Sequence, residues 1–393
     1  MKTAREPILA LEKSIKDWLD EKHAEPTEQN LRALFKEKLG KDPYRLRFHL
    51  DHDSPDLIMI VPSRSSDRTL QLVEESNGIV LDSSWNVVAH GMDVLREGNH
   101  MRQGGIDAKY DIEEAEDGTV IRVFNHDGRW NLATNRCLDA WKARWSSVKT
   151  FGDLFIEALK GVDADTAFSE LDPGFTYSFV LLHPENQLVV HHPIPRLVSV
   201  GRRNNTTQEE EKADKFTVSW AAEPVRVSLS DLLSRLNNED AAAQGKRGFI
   251  ISDWTDPVHV KRWKLDYAPF ATVHQLRKNL PAIHLSYLAS SLEDRETMRR
   301  AFPHWTNTFM FIDKLLFSFA AFCYGTYVDA FIRRRFTIAQ DDPIYQVLRR
   351  VHRQYKVSGQ KITESQVRSV IDHLPVKELD SLLRYHSQCC PVV

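Results

Sequence analysis

The residues most able to do chemistry gather in Glu113-Glu-Ala115-Glu-Asp117-Gly118-Thr119 and in the strand-like run it opens, Val120-Ile-Arg-Val-Phe124. An Asp-Gly turn leading into an apolar strand, a second turn at Asn125-His126-Asp127-Gly128, and a Trp-bearing partner strand from Arg129 make a good hairpin on physical grounds alone. Arg136 and Cys137 follow that partner strand, the first a candidate anion ligand and the second small core packing. Further on, Lys261-Arg262-Trp263-Lys264 crowds cations into one short strand. Side chains alternate there, Lys261 with Trp263 and Arg262 with Lys264, so only one pair can face a pocket. A solvated basic edge strand is the plain alternative. His191-His192 lacks a third ligand at zinc spacing, so no metal site is expected. The chain has no Gly-rich phosphate loop and no Ser/His/Asp set readable from spacing.

Those residues need a scaffold. Ile8, Leu11, Ile15, Trp18 and Leu19 recur at helical spacing, and a second helix follows from Thr27 as N-cap to Gly40 as stop. From about residue 45 the texture turns to short strands over 57–61, 78–81, 85–89, 120–124, 130–134, 176–182, 188–191 and 249–252. A second hairpin is expected at Pro184-Glu185-Asn186, a helix over 151–159, and an exposed polar loop over 201–215. Beyond residue 272 helical periodicity takes over, with segments over 282–301, 308–336 and 343–355 and two short helices flanking Pro375, the first with Thr363 and Gln366 at capping-box spacing.

Against that frame the motifs resemble a family. Asp117-Gly118 looks like the end of the Lys-x-Asp-Gly nucleotidyl motif of RNA ligases, DNA ligases and capping enzymes, with Ala115 at the lysine position. Four other pieces resemble, in order and rough spacing, the bacteriophage-type ATP-dependent RNA ligases: Asn77-Gly78 with Trp85-Asn-Val-Val88, the strand around Phe179 with Pro184-Glu-Asn186, Arg247-Gly-Phe-Ile250, and Val260-Lys-Arg-Trp-Lys264. The resemblance covers about residues 70–270. It implies an α+β fold, an antiparallel-sheet adenylation domain followed by an all-helical C-terminal domain. The organisation expected is N-terminal helices over 1–45 packing on that domain, the nucleotidyltransferase-like domain over 46–272 and a helical domain over 273–393. It also implies ATP or AMP with Mg2+ as ligands of an active enzyme, RNA as partner, and Asp117, Gly118, Arg136, Phe179, Lys261 and Lys264 as nucleotide-binding positions.

The chemistry of that family starts with a lysine amine attacking the alpha phosphate of ATP, and an alanine methyl cannot attack. Asn77, Val180 and Arg247 also stand where the family has an arginine and two carboxylates that help place metal. Lys109, six residues upstream, is a candidate displaced nucleophile in a loop. Two alternatives therefore stand. One is an RNA ligase with a displaced nucleophile or with Ala115 introduced by design; the other is a catalytically degenerate descendant that binds RNA, nucleotide or protein.

In the helical region Arg333, Arg334, Arg335, Arg349, Arg350 and Arg353 are candidate RNA contacts, interleaved with Phe336, His352 and Tyr355. Cations near helix ends also complement the helix dipole, the plainer account of the Arg triplet. The whole chain supplies no strong field, with a formal net charge of −3 over 393 residues, so any nucleic-acid surface is local. The four cysteines show neither disulfide nor zinc spacing, and the first residues lack a signal peptide's apolar stretch; a cytosolic protein without a membrane segment is expected. The apolar window over 315–324 is shorter than the roughly 20 residues of a bilayer span and reads as a buried helix.

Overall fold

The computed structural model describes residues 17–23, 27, 29–30, 33, 44–51, 54–67, 69–82, 86–103, 105–238, 245–278 and 280–389. They fall into two compact units, Met1–Ala271 and Thr272–Val393. Strands of the first unit are β1 (Leu46–Asp51), β2 (Ser54–Pro62), β3 (Ile79–Asp82), β4 (Val87–Ala89), β5 (Arg96–Glu97), β6 (Asp111–Ala115), β7 (Thr119–His126), β8 (Arg129–Thr134), β9 (Phe175–Leu182), β10 (Arg196–Asn204), β11 (Glu210–Lys212), β12 (Ala221–Ala222), β13 (Gly248–Asp253) and β14 (Lys261–Asp266). They build three sheets, ordered β1-β2-β3-β4, β11-β10-β9-β7-β8 with β12 on β10, and β5-β14-β13-β6. Pairing is antiparallel apart from β10 with β12 and β14 with β5. The fold is α+β.

Alternation explains how the sheets layer. In β2, Ile58 and Ile60 pack with Trp18, Leu19, Phe48, Ile79 and Leu81, while Leu57, Met59 and Val61 pack with Val80 of β3 and with Phe124 and Ala133 of the neighbouring sheet. The run Leu57–Val61, apolar throughout, is thus buried on both faces. In the second sheet Ile121, Val123, Tyr177, Phe179 and Leu181 cover the helix Phe151–Ala158. That helix begins where Thr150 and Asp153 form a reciprocal capping box. In the third sheet Ile112, Phe249, Ile251 and Leu265 bury Leu232 of the helix Leu229–Asn237.

Several sequence expectations are corrected. No strand forms over 188–191, because the Asp117 carboxylate accepts the backbone N–H groups of Val189 and Val190, both at 2.8 Å, which a strand would give to a neighbour. The return strand is β10 instead. The polar stretch over 201–215 is no exposed loop: it contains the end of β10 and β11, and two of its charges, Arg203 and Glu210, are buried and paired with each other. The first helix is seen over residues 17–22, and Thr27 Oγ1 accepts the Asn30 N–H as an N-cap does; Ile8, Leu11 and Ile15 and most of the second helix lie outside the described residues. Trp85 does too.

The second unit is helical: Ile283–Leu288, Leu292–Ala301, Thr306–Tyr327 with a π turn Val328–Ile332, Tyr345–Ser358, Glu364–Asp372 and Val376–Cys389. The segment expected as one helix over 282–301 is broken where Ser291 caps a new helix by accepting the Asp294 N–H. Thr363 and Gln366 form the expected capping box. The apolar window lies in a helical run, Pro303–Ile332, whose 30 residues have the length and hydropathy of a bilayer span. One face of it, Phe309, Leu316, Phe319, Cys323 and Tyr327, is the core of this unit, together with Val347, Leu348, Val351, Val367 and Ile371.

Candidate nucleotide cleft

Between the second and third sheets of the first unit lies a cleft of about 380 Å³. Its floor is one cross-strand row. Val120 on β7 pairs with Val180 on β9, which pairs with Val198 on β10, and all three line the cleft. Gly118 lets the chain enter β7 against β9, since a Cβ there would collide with the Leu181 carbonyl and with Val180 and Leu182. The backbone approaches too closely for any side chain.

The opposite wall is charged. Glu113 of β6, Ile250 and Ser252 of β13, and Arg262 and Lys264 of β14 line it, with Arg247, Glu116, Asp93 and Trp254 around them. The register puts Glu113 opposite Ile250 and Ile250 opposite Lys264. Arg262 is buried, its guanidinium 5.0 Å from the Trp254 ring centroid and paired with Glu210, which also takes Arg203. Its Nη1 is buried without a hydrogen-bond partner among the described residues. An orphaned guanidinium N–H in a cleft is a donor suited to an anionic oxygen. Lys264 is held by Glu97 at 2.8 Å and by Asp266 at 3.8 Å.

Ala115 follows Glu113 by two residues on β6 and pairs with Gly248, which pairs with Asp266. It is buried and does not line the cleft. Arg247 does: its Nε donates to Asp266 at 2.9 Å and its Nη1 to the Glu116 carbonyl at 3.4 Å, so a fixed cation stands beside Ala115. Lys109 pairs with Asp107 at 3.9 Å and lies outside the cleft lining, where Lys264 is the one lysine among the described residues.

Of the expected nucleotide positions, Gly118, Arg136 and Lys264 line the cleft, and Arg136 is exposed at it. The other three do not. Phe179 is fully buried on the far face of β9, stacked on Tyr177 and edge-on to Phe155 with centroids 6.4 Å apart. Strand alternation puts Val180 where a base platform was expected. Asp117 is occupied by Val189 and Val190, and its carbonyl accepts from His192 Nε2 at 3.0 Å. Lys261 points to the other face of β14, beside Glu74 and Glu75, so the register selects Arg262 with Lys264. Arg333 and Arg335 in the second unit pair with Asp329 at 3.0 and 3.2 Å, and Arg350 with Glu378 at 3.3 Å; Arg334, Arg349 and Arg353 are exposed.

Sequence reasoning missed Arg122, Arg203, Glu210 and Trp254. Arg122 carries its own signal, a cation inside the apolar run Val120–Phe124. Buried with no carboxylate partner among the described residues, it donates to the carbonyls of Gly78 and Thr134 and so ties the Asn77 loop to the turn bearing Arg136, both of which line the cleft. Burial pushes its guanidinium down to about 10.

The donor set fits a nucleotide's phosphates better than Mg2+. Asp93 is engaged by Arg203 at 3.1 Å and Glu116 by Arg196 at 3.2 Å, whereas Mg2+ needs carboxylate oxygens free of such partners. Burial pushes the Glu113 carboxyl up, against the pull of Arg262 and Arg226. Asp56, His126 and Asp127 bring ligand atoms within 4.8 Å at the first hairpin turn, but His126 Nε2 already meets Asp56 at 2.8 Å.

No protein-family model matches the chain. By sequence it is similar to an immediate-early protein ICP-46 homolog of Invertebrate iridescent virus 6, 25% identical over 197 residues that make 45% of this chain and 42% of the relative. It is also similar to a putative bifunctional polynucleotide kinase/RNA ligase of Autographa californica nuclear polyhedrosis virus, 26% identical over 181 residues, 42% of this chain and 26% of the relative. The chain thus spans less than half the length of these curated relatives. Its neighbours among solved structures are ATP-dependent ligases. They include a putative ATP-dependent DNA ligase from Aquifex aeolicus (TM-score 0.42, 9% identity, 73% of this chain and 75% of that one) and an archaeal ATP-dependent RNA ligase (TM-score 0.40, 11% identity, 90% and 79%).

Proposed function

We propose that the cleft holds an adenine nucleotide, ATP or AMP, without a covalent bond to residue 115, in a ligase-like protein that works on RNA ends as a binding module. One observation carries this reading. The place beside Ala115 is taken by the Arg247 guanidinium, while the cleft keeps an apolar floor and an unpartnered donor on Arg262. An apolar slot with a few convergent cations suits a flat base and its phosphates. A cation fixed by Asp266 next to residue 115 would also repel an incoming lysine ammonium.

Incubation with alpha-labelled ATP, with and without divalent metal, tests the reading through two readouts. Filter retention is expected to show binding, and denaturing electrophoresis is expected to show no labelled band, in the native chain and in Ala115→Lys alike. A labelled band from the native chain overturns the proposal in favour of an active ligase. Lys264 is then the residue to remove, as the one lysine lining the cleft among those described.

A further inference from the structure

The long helix of the second unit has two apolar faces, and only one of them packs into the core. Phe309, Leu316, Phe319, Cys323 and Tyr327 lie more than about 100° round the helix from Ala321 and are buried. Met310, Lys314, Phe317, Ala321, Tyr324 and Val328 lie within about 60° of Ala321, on the opposite side. Met310 is 53% exposed and Phe317 66%. Lys314, Ala321 and Gly325 are exposed as well, and Tyr324 and Val328 are half-buried.

The spacing of this second face matches a particular kind of contact. Its members succeed one another at 4, 3, 4, 3 and 4 residues, the alternation of a coiled-coil seam, in which a large side chain enters a hole made by four residues of a facing helix. Packing of this unit's own core does not call for it, because the core lies on the other side of the helix. Ala321, Tyr324, Gly325 and Val328 make one such hole, and two of its four members are small. A Cβ at Gly325 would meet nothing within 4 Å, so the hole is open enough to admit a ring.

The seam is complementary to itself when a second copy runs antiparallel with Ala321 at the two-fold axis. Phe317, four residues before the axis, then comes level with the centre of the hole formed by Ala321, Tyr324, Gly325 and Val328 of the partner subunit. Lys314, seven residues before the axis, comes level with Val328 and Asp329 of the partner subunit, the aspartate being the one that also holds Arg333 and Arg335. The two Lys314 ammoniums end about 21 Å apart along the helices. A parallel copy would set Phe317 against Phe317 and Lys314 against Lys314, like charges face to face.

We infer that the helix Thr306–Tyr327, with Val328 of its π turn, pairs with the same helix of a second copy of this chain, antiparallel about Ala321, in an isologous dimer. The seam is about 27 Å long, at the small end of specific interfaces, so a dissociation constant on the order of 10 µM is expected. A bilayer suits the face less well: much of the hydropathy of Pro303–Ile332 belongs to side chains packed in the core, and Lys314 stands within the exposed stripe. This surface belongs to the helical unit alone and does not depend on the nucleotide reading of the cleft.

Sedimentation velocity of the full chain from about 1 to about 200 µM is expected to show monomer giving way to dimer. Phe317→Asp, at an exposed position, is expected to stay monomeric throughout with an unchanged urea midpoint. Gly325→Leu, which fills the hole, is expected to weaken the dimer about tenfold while leaving the monomer as stable or more so, since leucine favours a helix over glycine. Register is read by oxidation in a Cys389→Ser/Cys390→Ser background. Ala321→Cys, at the axis, is expected to cross-link to its own copy, whereas Met310→Cys, about 33 Å from its counterpart in the antiparallel pair, is not. Four results each overturn the inference: a native chain that is monomeric over the whole range, a dimer that survives Phe317→Asp, cross-linking of Met310→Cys as readily as of Ala321→Cys, or flotation of the native chain with phosphatidylcholine vesicles that Phe317→Asp abolishes. The last of these would assign the stripe to a lipid surface.

Discussion

The two walls of the cleft are built by opposite rules. The floor, Val120, Val180 and Val198, is one row of apolar side chains in register across three antiparallel strands, and each valine needs only its pleat position to arrive there. The facing wall is made of charges whose positions depend on each other: Glu210 binds Arg203 and Arg262, Asp266 binds Arg247, and Glu97 holds Lys264. A floor of this kind tolerates exchange of one aliphatic residue for another. The buried centre of the charged wall, Glu210 with Arg203 and Arg262, does not, because each member of a buried network sets the charge its neighbours meet.

Glu210→Gln should break that contrast most severely. It leaves the buried Arg203 and Arg262 guanidiniums sharing a neutral amide where a carboxylate stood, and removing one partner of a buried ion pair costs about 3–5 kcal/mol. Urea denaturation followed by tryptophan fluorescence would measure it. A loss under about 1 kcal/mol would place the pair among weakly coupled surface bridges and undo the argument for an interdependent wall.

Lys264→Ala should separate binding from stability. Its partner Glu97 is largely exposed, so the ion pair contributes little to folding, whereas the proposed nucleotide site makes this cleft-lining cation a phosphate ligand. Nucleotide affinity is expected to fall about tenfold, the usual worth of one charge-assisted hydrogen bond, with the unfolding midpoint nearly unchanged. Equal affinity in native chain and variant, measured by calorimetry, would remove Lys264 from the site.

How far this was legible differs between the walls for the same reason. The sheets, the hairpin at Asp127-Gly128 and the paired facing of Arg262 with Lys264 follow from period-two alternation, a local property. Ala115 beside the Asp-Gly turn is equally local. Arg203 with Glu210 was hidden because a charged stretch reads as solvated until a partner seven residues away is brought opposite it by β10 and β11. Phe179 was misplaced by a shift of one residue, which exchanges the two faces of a strand: Phe179 belongs to the aromatic core and Val180 to the cleft. Asp117 kept its place in the motif, but its carboxylate holds the Val189-Val190 backbone, a long-range contact that spacing does not reveal.

That same contact supplies the smallest effect, and a pH-dependent one. Facing the Asp117 carbonyl, His192 Nε2 must carry the proton it donates, and burial, the largest influence on this imidazole, lowers its pKa from the ordinary 6.5 despite the hydrogen bond and the nearby Glu116 and Asp117. Because the folded state prefers the neutral ring, the stability it contributes is fully present above the unfolded value and is lost as pH falls through that value towards the depressed folded one. His192→Gln keeps an N–H donor for the same carbonyl but cannot titrate. On moving from pH 7.5 to about pH 5.5 the native chain is expected to lose more stability in urea than this variant, while the two differ little at pH 7.5. Equal losses would mean that the ring titrates as if in water, and that the Asp117 turn is open at the point where it joins the Val189-Val190 backbone.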